Sequence, residues 1–544
     1  MFFRPLPRVV TRTLSVLTVI AWVIAMAVLV ANAYGTSSPA NLATDLARYG
    51  SGAVWRGVYY RGEKIGFTVS QTVATEDGFS LDEDGRLQMS LLGAISAATI
   101  HTSARVDKDF ALRSFEFKLD PGTGPVSVTG SVNGRQLTLS VTTRTGSHTE
   151  TRELAEPPAL AQNLSRKLAD GGLTPGARHQ WMVFDPATLR NAPVTVKVGR
   201  REVVRGDSGP IPAFRVEMEF SGLRTTSWIT DTGEVVREES PLGLITVRET
   251  ADRARAMAVP GRVQTDLLEA AAVVPNMTAV RARIDEARDV RRLRVRLEGV
   301  DLPETDIDGV GQTIDGNVID IRDPQALHAG PADREAANYL AAEPLIESDA
   351  PEIRAEAEAA VGDAKDARMR AERLTRHVNA LLEKKPTVGL PSAREVLRTK
   401  VGDCNEHTAL FVAMARSLGI PSRISVGLVH AHGAFYYHAW PEVYIEEAGG
   451  RGYWLPVDPT LNEFPADATH IRLARGGLDK QTAILPLVGR LKMTVLDLEL
   501  APNTNQVVVG KAEPPIDLGA LAIPIPQRES CCTCDADRQR RTSR

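Results

Sequence analysis

The stretch Gly402-Asp-Cys-Asn-Glu-His-Thr-Ala-Leu-Phe-Val-Ala-Met-Ala-Arg-Ser-Leu-Gly419 carries Cys404, the only cysteine before the last few residues of the chain. From Cys404 to Leu418 the residues favour helix. Gly419 offers a C-cap and Pro421 forbids continuation. Ala409 to Ala415 is apolar nearly all round, which predicts a helix buried on several sides. Cys404 falls in its first turn, where unpaired backbone N–H groups and the macrodipole favour negative charge. An ordinary cysteine is only about 3% thiolate at pH 7. A helix N-terminus with a histidine beside it raises that fraction, so Cys404 is expected to be a reactive thiol.

A nucleophile needs a base, and the base needs an orienter. Downstream, Phe435-Tyr-Tyr-His438-Ala-Trp440-Pro-Glu442-Val-Tyr444-Ile reads as a strand with His438, Trp440, Glu442 and Tyr444 on one face. Pro441 removes a strand N–H and suggests a locally unpaired edge. Tyr453 to Val457 reads as a second strand, stopped by Pro459, with Asp458 at its end. Neighbouring strands crossed by the helix would bring Cys404, His438 and Asp458 together. His407 lies one helical turn past Cys404 and is a candidate for the cleft, although a structural role is the simpler reading. Trp440 is a candidate lining residue.

These segments resemble the transglutaminase-like superfamily in its bacterial branch. The motifs are Ser392-Ala-Arg-Glu395-Val-Leu, Gly402-Asp-Cys404-Asn-Glu-His-Thr-Ala-Leu, Gly419-Ile-Pro-Ser-Arg423, His438-Ala-Trp440-Pro-Glu-Val and Trp454-Leu-Pro-Val-Asp458-Pro-Thr. Ala468-Thr-His470-Ile-Arg-Leu looks like the family's continuation. The resemblance runs from about Ser392 to Gly476. It implies a papain-like fold and a Cys–His–Asp triad, carried over to Cys404, His438 and Asp458. It also implies acyl chemistry through a cysteine thioester, resolved by water or by an amine. Val396 to Val401 lacks the upstream aromatic that some members use at the oxyanion hole.

The rest of the chain sets the context. Its 544 residues suggest about three domains, and a net charge of −4 gives no electrostatic case for nucleic acid. Arg4, Arg8 and Arg12 precede Leu14 to Ala33, an uncharged run long enough to span a bilayer. The arginines put the remainder of the chain outside the cytoplasm, in the envelope of a bacterium. An uncleaved single-pass anchor is favoured over cleavage at Ala31-Asn32-Ala33. From about Ala53 to Glu249 strands alternate, with a hairpin at Asn133-Gly134, turns at Asp77-Gly78 and Asp84-Gly85, and one helix near Pro158 to Ala169. Asp82-Glu-Asp84-Gly85 and Asp306-Ile-Asp308-Gly309 read as turns rather than calcium loops. Cys531, Cys532 and Cys534 lie in a short polar tail and make a poor zinc set. The loop glycine Gly433, between His432 and His438, argues against a metal triad of His430, His432 and His438.

The expected fold class is α+β multidomain: an N-terminal transmembrane helix, an antiparallel β domain, a small β unit and a C-terminal transglutaminase-like α+β domain. The expected boundaries are 1–35, 50–255, 256–330, 345–500 and a disordered tail at 501–544. No cofactor or metal is expected. The expected function is an exported thiol enzyme acting on peptide or protein amides, hydrolysis favoured. Amine acyl-transfer and a catalytically silent envelope scaffold are the alternatives. The expected partners are a peptide or protein substrate, the membrane through the N-terminal helix, and an envelope ligand of the β domain.

Overall fold

The computed structural model describes residues 49–502 apart from 92, 123, 207–208, 241, 258–264, 281–283, 301, 303–306, 310, 387–388, 390, 478–483 and 485. The first half is a fifteen-stranded sheet made of two meanders, antiparallel except where Ala159–Leu160 pairs parallel with Arg178–Asp185 at one edge. They meet where Val54–Tyr60 pairs with Glu63–Ala74 on one side and Leu244–Glu249 on the other. The period of two decides what is buried: in Gln136–Thr143, Leu137, Leu139 and Val141 face the core while their neighbours face out. Gly134, at φ 60, opens the two-residue turn between Asn133 and Gln136. The helix of this region is Leu164–Ala169, entered through a short 3-10 turn.

The described residues are mostly β, 51% strand against 19% helix, which corrects the α+β expectation. Among the described residues, helices longer than six residues occur only between Pro351 and Ser417, while strands of up to 17 residues fill the first half. The expected transmembrane run at Leu14–Ala33 and the tail cysteines lie outside the described residues. No helix among the described residues is long and apolar enough to cross a membrane. Asp84-Gly85 is not a turn. It sits inside the strand Gly78–Leu91, paired on both sides. Asp84 accepts from Tyr49 Oη at 2.7 Å and faces His101 Nδ1 at 2.9 Å, so tertiary partners satisfy a residue that alone favours turns.

Val290–Glu298 pairs with Val318–Arg322 and also with Lys492–Leu500, far along the chain. The units expected at 256–330 and 345–500 therefore share one four-stranded sheet and one continuous core, which runs from Val273 to Val495.

Four helices follow: α1 (Pro351–Val361), α2 (Ala367–Leu381), α3 (Ala393–Thr399) and α4 (Cys404–Ser417). A five-stranded sheet is built from β1 (Gly330–Pro331), β2 (Ser422–Ala431), β3 (Ala434–Glu447), β4 (Arg451–Pro456) and β5 (Ile471–Gly476). Its order is β1-β4-β3-β2-β5. Every residue of α4 from Glu406 to Ser417 is buried, so this helix is the core on which the other helices and β3 pack.

Candidate active site

The sequence Gly402-Asp-Cys-Asn-Glu builds the start of α4. Asp403 is the N-cap, and its side chain accepts the Asn405 N–H at 2.9 Å. Glu406 folds back to accept the Asp403 N–H at 2.9 Å, completing a capping box. A Cβ at Gly402 would collide with the Glu406 side chain, so the close pass of the chain here requires glycine. Lys400, left-handed at φ 55, ends α3 and turns the chain into this pass. Cys404 is therefore fixed as the first residue of a capped helix, where the sequence predicted it.

The thiol is not activated by that position alone. Burial pushes its pKa well above the ordinary thiol range, and the carboxylates of Asp403 and Glu406 push the same way. A hydrogen bond from the main chain of Ala439 opposes them without prevailing. Burial and the two carboxylates that cap the helix thus work against its dipole at the sulfur, the direction opposite to the one expected from the helix terminus alone.

The other half of the site is on β3. The two-residue turn His432-Gly433, left-handed at φ 49 and 81, folds β2 onto β3 and sets His438 opposite Gly427. Trp440 is buried beneath His438 with its ring nearly parallel, 6.1 Å between centroids. Pairing with β4 stops at Glu442. Just past it the Pro441 carbonyl still accepts the Val457 N–H at 3.0 Å, and what Pro441 lacks there is only the donor. The start of α4 takes the place of a strand. Thr408, one turn after Cys404, donates its hydroxyl to the Ala439 carbonyl at 3.1 Å. The cysteine's helix is thereby fastened to the residue that follows His438.

Asp458 follows β4 and is fully buried. A two-way backbone pair with Glu463 closes its loop, and Asn379 of α2 holds that loop through the carbonyls of Pro459 and Thr460 at 2.8 and 3.0 Å. His438 Nε2 lies 2.7 Å from Asp458 Oδ2. With that nitrogen on the carboxylate, Nδ1 is the imidazole atom left to exchange a proton with a thiol. Asp458 Oδ1 accepts the N–H groups of Thr460 and Leu461 at 2.7 and 2.9 Å. Burial pushes the Asp458 pKa up, but His438 and His470 outweigh it and hold the carboxyl well below its usual range.

His470 was visible in the sequence only as part of a motif, without a role. Its Nε2 lies 3.1 Å from the same Asp458 Oδ2, and its Nδ1 faces Asp467 O and Oδ1 at 3.2 and 3.3 Å. Burial opposes its charge, yet Asp458 and Asp467 raise its pKa well above the ordinary imidazole range. Glu463 lies beyond; burial and the nearby Asp467 push it up to about 7, against Arg288 at 3.2 Å. The spacing Asp467-x-x-His470 is the signal that marks this network in hindsight.

The remaining candidates fall into place around it. His407 is fully buried, its Nδ1 2.7 Å from the Asp403 carbonyl, and burial lowers its pKa. Its Nε2 has no hydrogen-bond partner among the described residues. Glu442, on the His438 face of β3, is paired with Arg423 at 2.8 Å and Arg472 at 2.5 Å, which makes it structural. Arg423 stacks 3.8 Å over Trp454. His438, Asp458 and His470 bring ligand-type atoms within 4.8 Å of one another, as do Glu463, Asp467 and His470, but both His470 nitrogens face acceptors and, as donors, offer a cation no lone pair.

Residues 354–459 match the family model described as the transglutaminase-like superfamily. This part of the chain is a transglutaminase-like domain; the match spans Cys404, His438 and Asp458 and ends before His470. No curated protein matches the chain in sequence. Among solved structures, the chain is similar to a beta-barrel-like protein of the domain of unknown function DUF1849 from Brucella abortus, at 13% identity and TM-score 0.29, over 36% of this chain and 95% of that one. It is also similar to the periplasmic domain of TgpA from Pseudomonas aeruginosa, at 17% identity and TM-score 0.21, over 33% and 92%. Likenesses of that size carry no argument about activity.

Proposed function

We propose that this chain is a thiol enzyme that cleaves peptide or protein amides through a thioester on Cys404, and that it works outside the cytoplasm. Cys404 Sγ attacks the acyl carbonyl carbon while its proton passes to His438 Nδ1. His438 then gives that proton to the departing amine as the C–N bond breaks. Water, deprotonated by His438, attacks the thioester, and the thiol is released with its proton. Asp458 holds the proton on Nε2 throughout, so Nδ1 stays available. The Cys404 main-chain N–H, unpaired at a helix start, is one donor for the oxyanion.

The single observation that carries this reading is the joined pair: His438 on Asp458 at 2.7 Å, with Thr408 of the cysteine's helix bonded to Ala439 at 3.1 Å. Hydrolysis is favoured over amine transfer because water is always present as the second substrate. Export rests on Arg4, Arg8 and Arg12 ahead of an uncharged run. The test compares the envelope proteome of a Cys404→Ala strain with that of the wild type, with a labelled primary amine supplied. Uncleaved proteins in the variant alone support hydrolysis. Cys404-dependent label incorporation moves the assignment to acyl transfer.

The burial of Cys404, which raises its pKa, favours a second reading, a silent scaffold. Identical proteomes in the two strains would decide for the scaffold.

A further inference from the structure

Asp458 Oδ2 serves two imidazoles at once. His438 approaches it at 2.7 Å from β3, and His470 at 3.1 Å from the segment entering β5. The two rings lie 6.0 Å apart, edge to face, and both touch Trp440: His438 stacks on it and His470 meets it edge-on at 5.1 Å. His470 is itself held from behind, by the carbonyl and carboxylate of Asp467. Both of its nitrogens therefore face acceptors, and only a doubly protonated ring can donate to both. The Thr469 N–H and hydroxyl bind Asp467 Oδ1 at 2.8 and 2.6 Å, so Asp467 cannot swing away without breaking them.

We propose that His470 is a positioning residue: as a fixed imidazolium it holds the same Asp458 oxygen as His438 and limits how readily His438 keeps a proton. The inference rests on the roles proposed above for Cys404, His438 and Asp458. Its physics is competition. The carboxylate that would stabilise a charged His438 is already shared with a charge that does not leave. A triad aspartate with one imidazole would make His438 a stronger base but a poorer acid toward the leaving amine. Sharing lowers the pH at which His438 is free to accept the thiol proton.

The charged groups around this point are few. Facing His438 are Asp458 from its loop and His470, while Asp403, Glu406 and Asp458 act on Cys404 at the start of α4. Facing His470 are Asp458, Asp467 and, behind them, Glu463 with Arg288. Lys384 acts on Asp458 from the strand after α2, with burial lowering its own pKa. His407 lies near Asp458 and Lys384, and burial lowers its pKa.

The test uses the full chain and iodoacetamide, with alkylation of Cys404 read on its own peptide by mass spectrometry so that the tail cysteines do not interfere. Rates are taken from pH 5 to 9 for wild type, His438→Ala and His470→Gln. Glutamine keeps an amide N–H for Asp458 and removes the charge. The expected result is a His438-dependent limb whose midpoint rises by roughly one pH unit in His470→Gln, with acid-side rates falling about tenfold. A folded His470→Gln whose limb superimposes on wild type, or moves down, overturns the inference while leaving the catalytic reading standing. A wild-type profile identical to His438→Ala removes the catalytic reading and this one with it. If His470→Gln does not fold, histidine-selective 15N spectra of the wild type decide. One imidazole doubly protonated through pH 8 is expected, and its absence overturns the proposal.

Discussion

Replacing Asp458 by asparagine removes one charge and one acceptor at the centre of four hydrogen bonds. Oδ1 takes the N–H groups of Thr460 and Leu461, and Oδ2 takes the two imidazoles. An asparagine has a single acceptor oxygen. The two main-chain donors cannot move without opening the loop, so they keep it. The amide NH2 then points at His438 Nε2 and His470 Nε2. His438 answers by turning a lone pair to the amide, which puts its proton on Nδ1. That is the atom that must receive the thiol proton, so the base is blocked although every side chain is in place. The expected loss is about four orders of magnitude in turnover, or about 5 kcal/mol at roughly 1.4 kcal/mol per decade. His470 also loses one of its two carboxylate partners, with Asp467 remaining, which lowers stability by up to about 3 kcal/mol. Urea unfolding of the variant therefore comes first. The assay is cleavage of a peptide-amide pool turned over by the wild type, alongside Cys404 alkylation at pH 7. Alkylation should fall to the His438→Ala rate. A folded Asp458→Asn chain with turnover within tenfold of wild type would refute the tautomer argument.

Glu442→Gln leaves Arg423 and Arg472 buried around a neutral group and should lower unfolding free energy by about 3–5 kcal/mol; a urea midpoint near wild type would contradict this. Asp403→Asn keeps an N-cap but removes a carboxylate that raises the thiol pKa. In a His438→Ala background it should lower the pH midpoint of Cys404 alkylation, and an unchanged or higher midpoint counts against the assignment. His470 has a folded pKa raised above its unfolded value. Its stabilisation is therefore complete below about pH 6.5 and fades as pH rises through the folded value, by at most about 1.4 kcal/mol per unit. The stability gap between wild type and His470→Gln in urea should narrow above neutrality; a gap that widens with pH would refute the sign.

The helix at Cys404, the strand at His438 and the loop at Asp458 were legible because each is a local pattern: an apolar run with a C-cap, an alternation, a strand stopped by proline. What joins them was not. Thr408 reaching Ala439 depends on how α4 lies across β3, and no spacing encodes that. His470 is brought to Asp458 by a loop that folds back on itself through Glu463 and Asp467, so its partner lies 12 residues away with no periodic relation. At the thiol the helix dipole was counted, but burial and the charges of its own capping box, which push its pKa up, were not. Asp84-Gly85 was misjudged because turn chemistry is a local preference, while Tyr49 and His101 decide its place from other parts of the chain. The β content was underread where pairing is distant: Val290–Glu298 meets Lys492–Leu500 only after the whole catalytic unit has intervened.

The proposed chemistry depends on one communication, from an imidazole to a sulfur that is unreactive by itself. Its direct measurement is the rate of Cys404 carbamidomethylation at pH 7 in wild type and in His438→Ala. A base acting on the thiol predicts a wild-type rate about a hundredfold higher. Equal rates in two folded proteins would mean that His438 does not serve Cys404, and the site would be a relic in a structural protein.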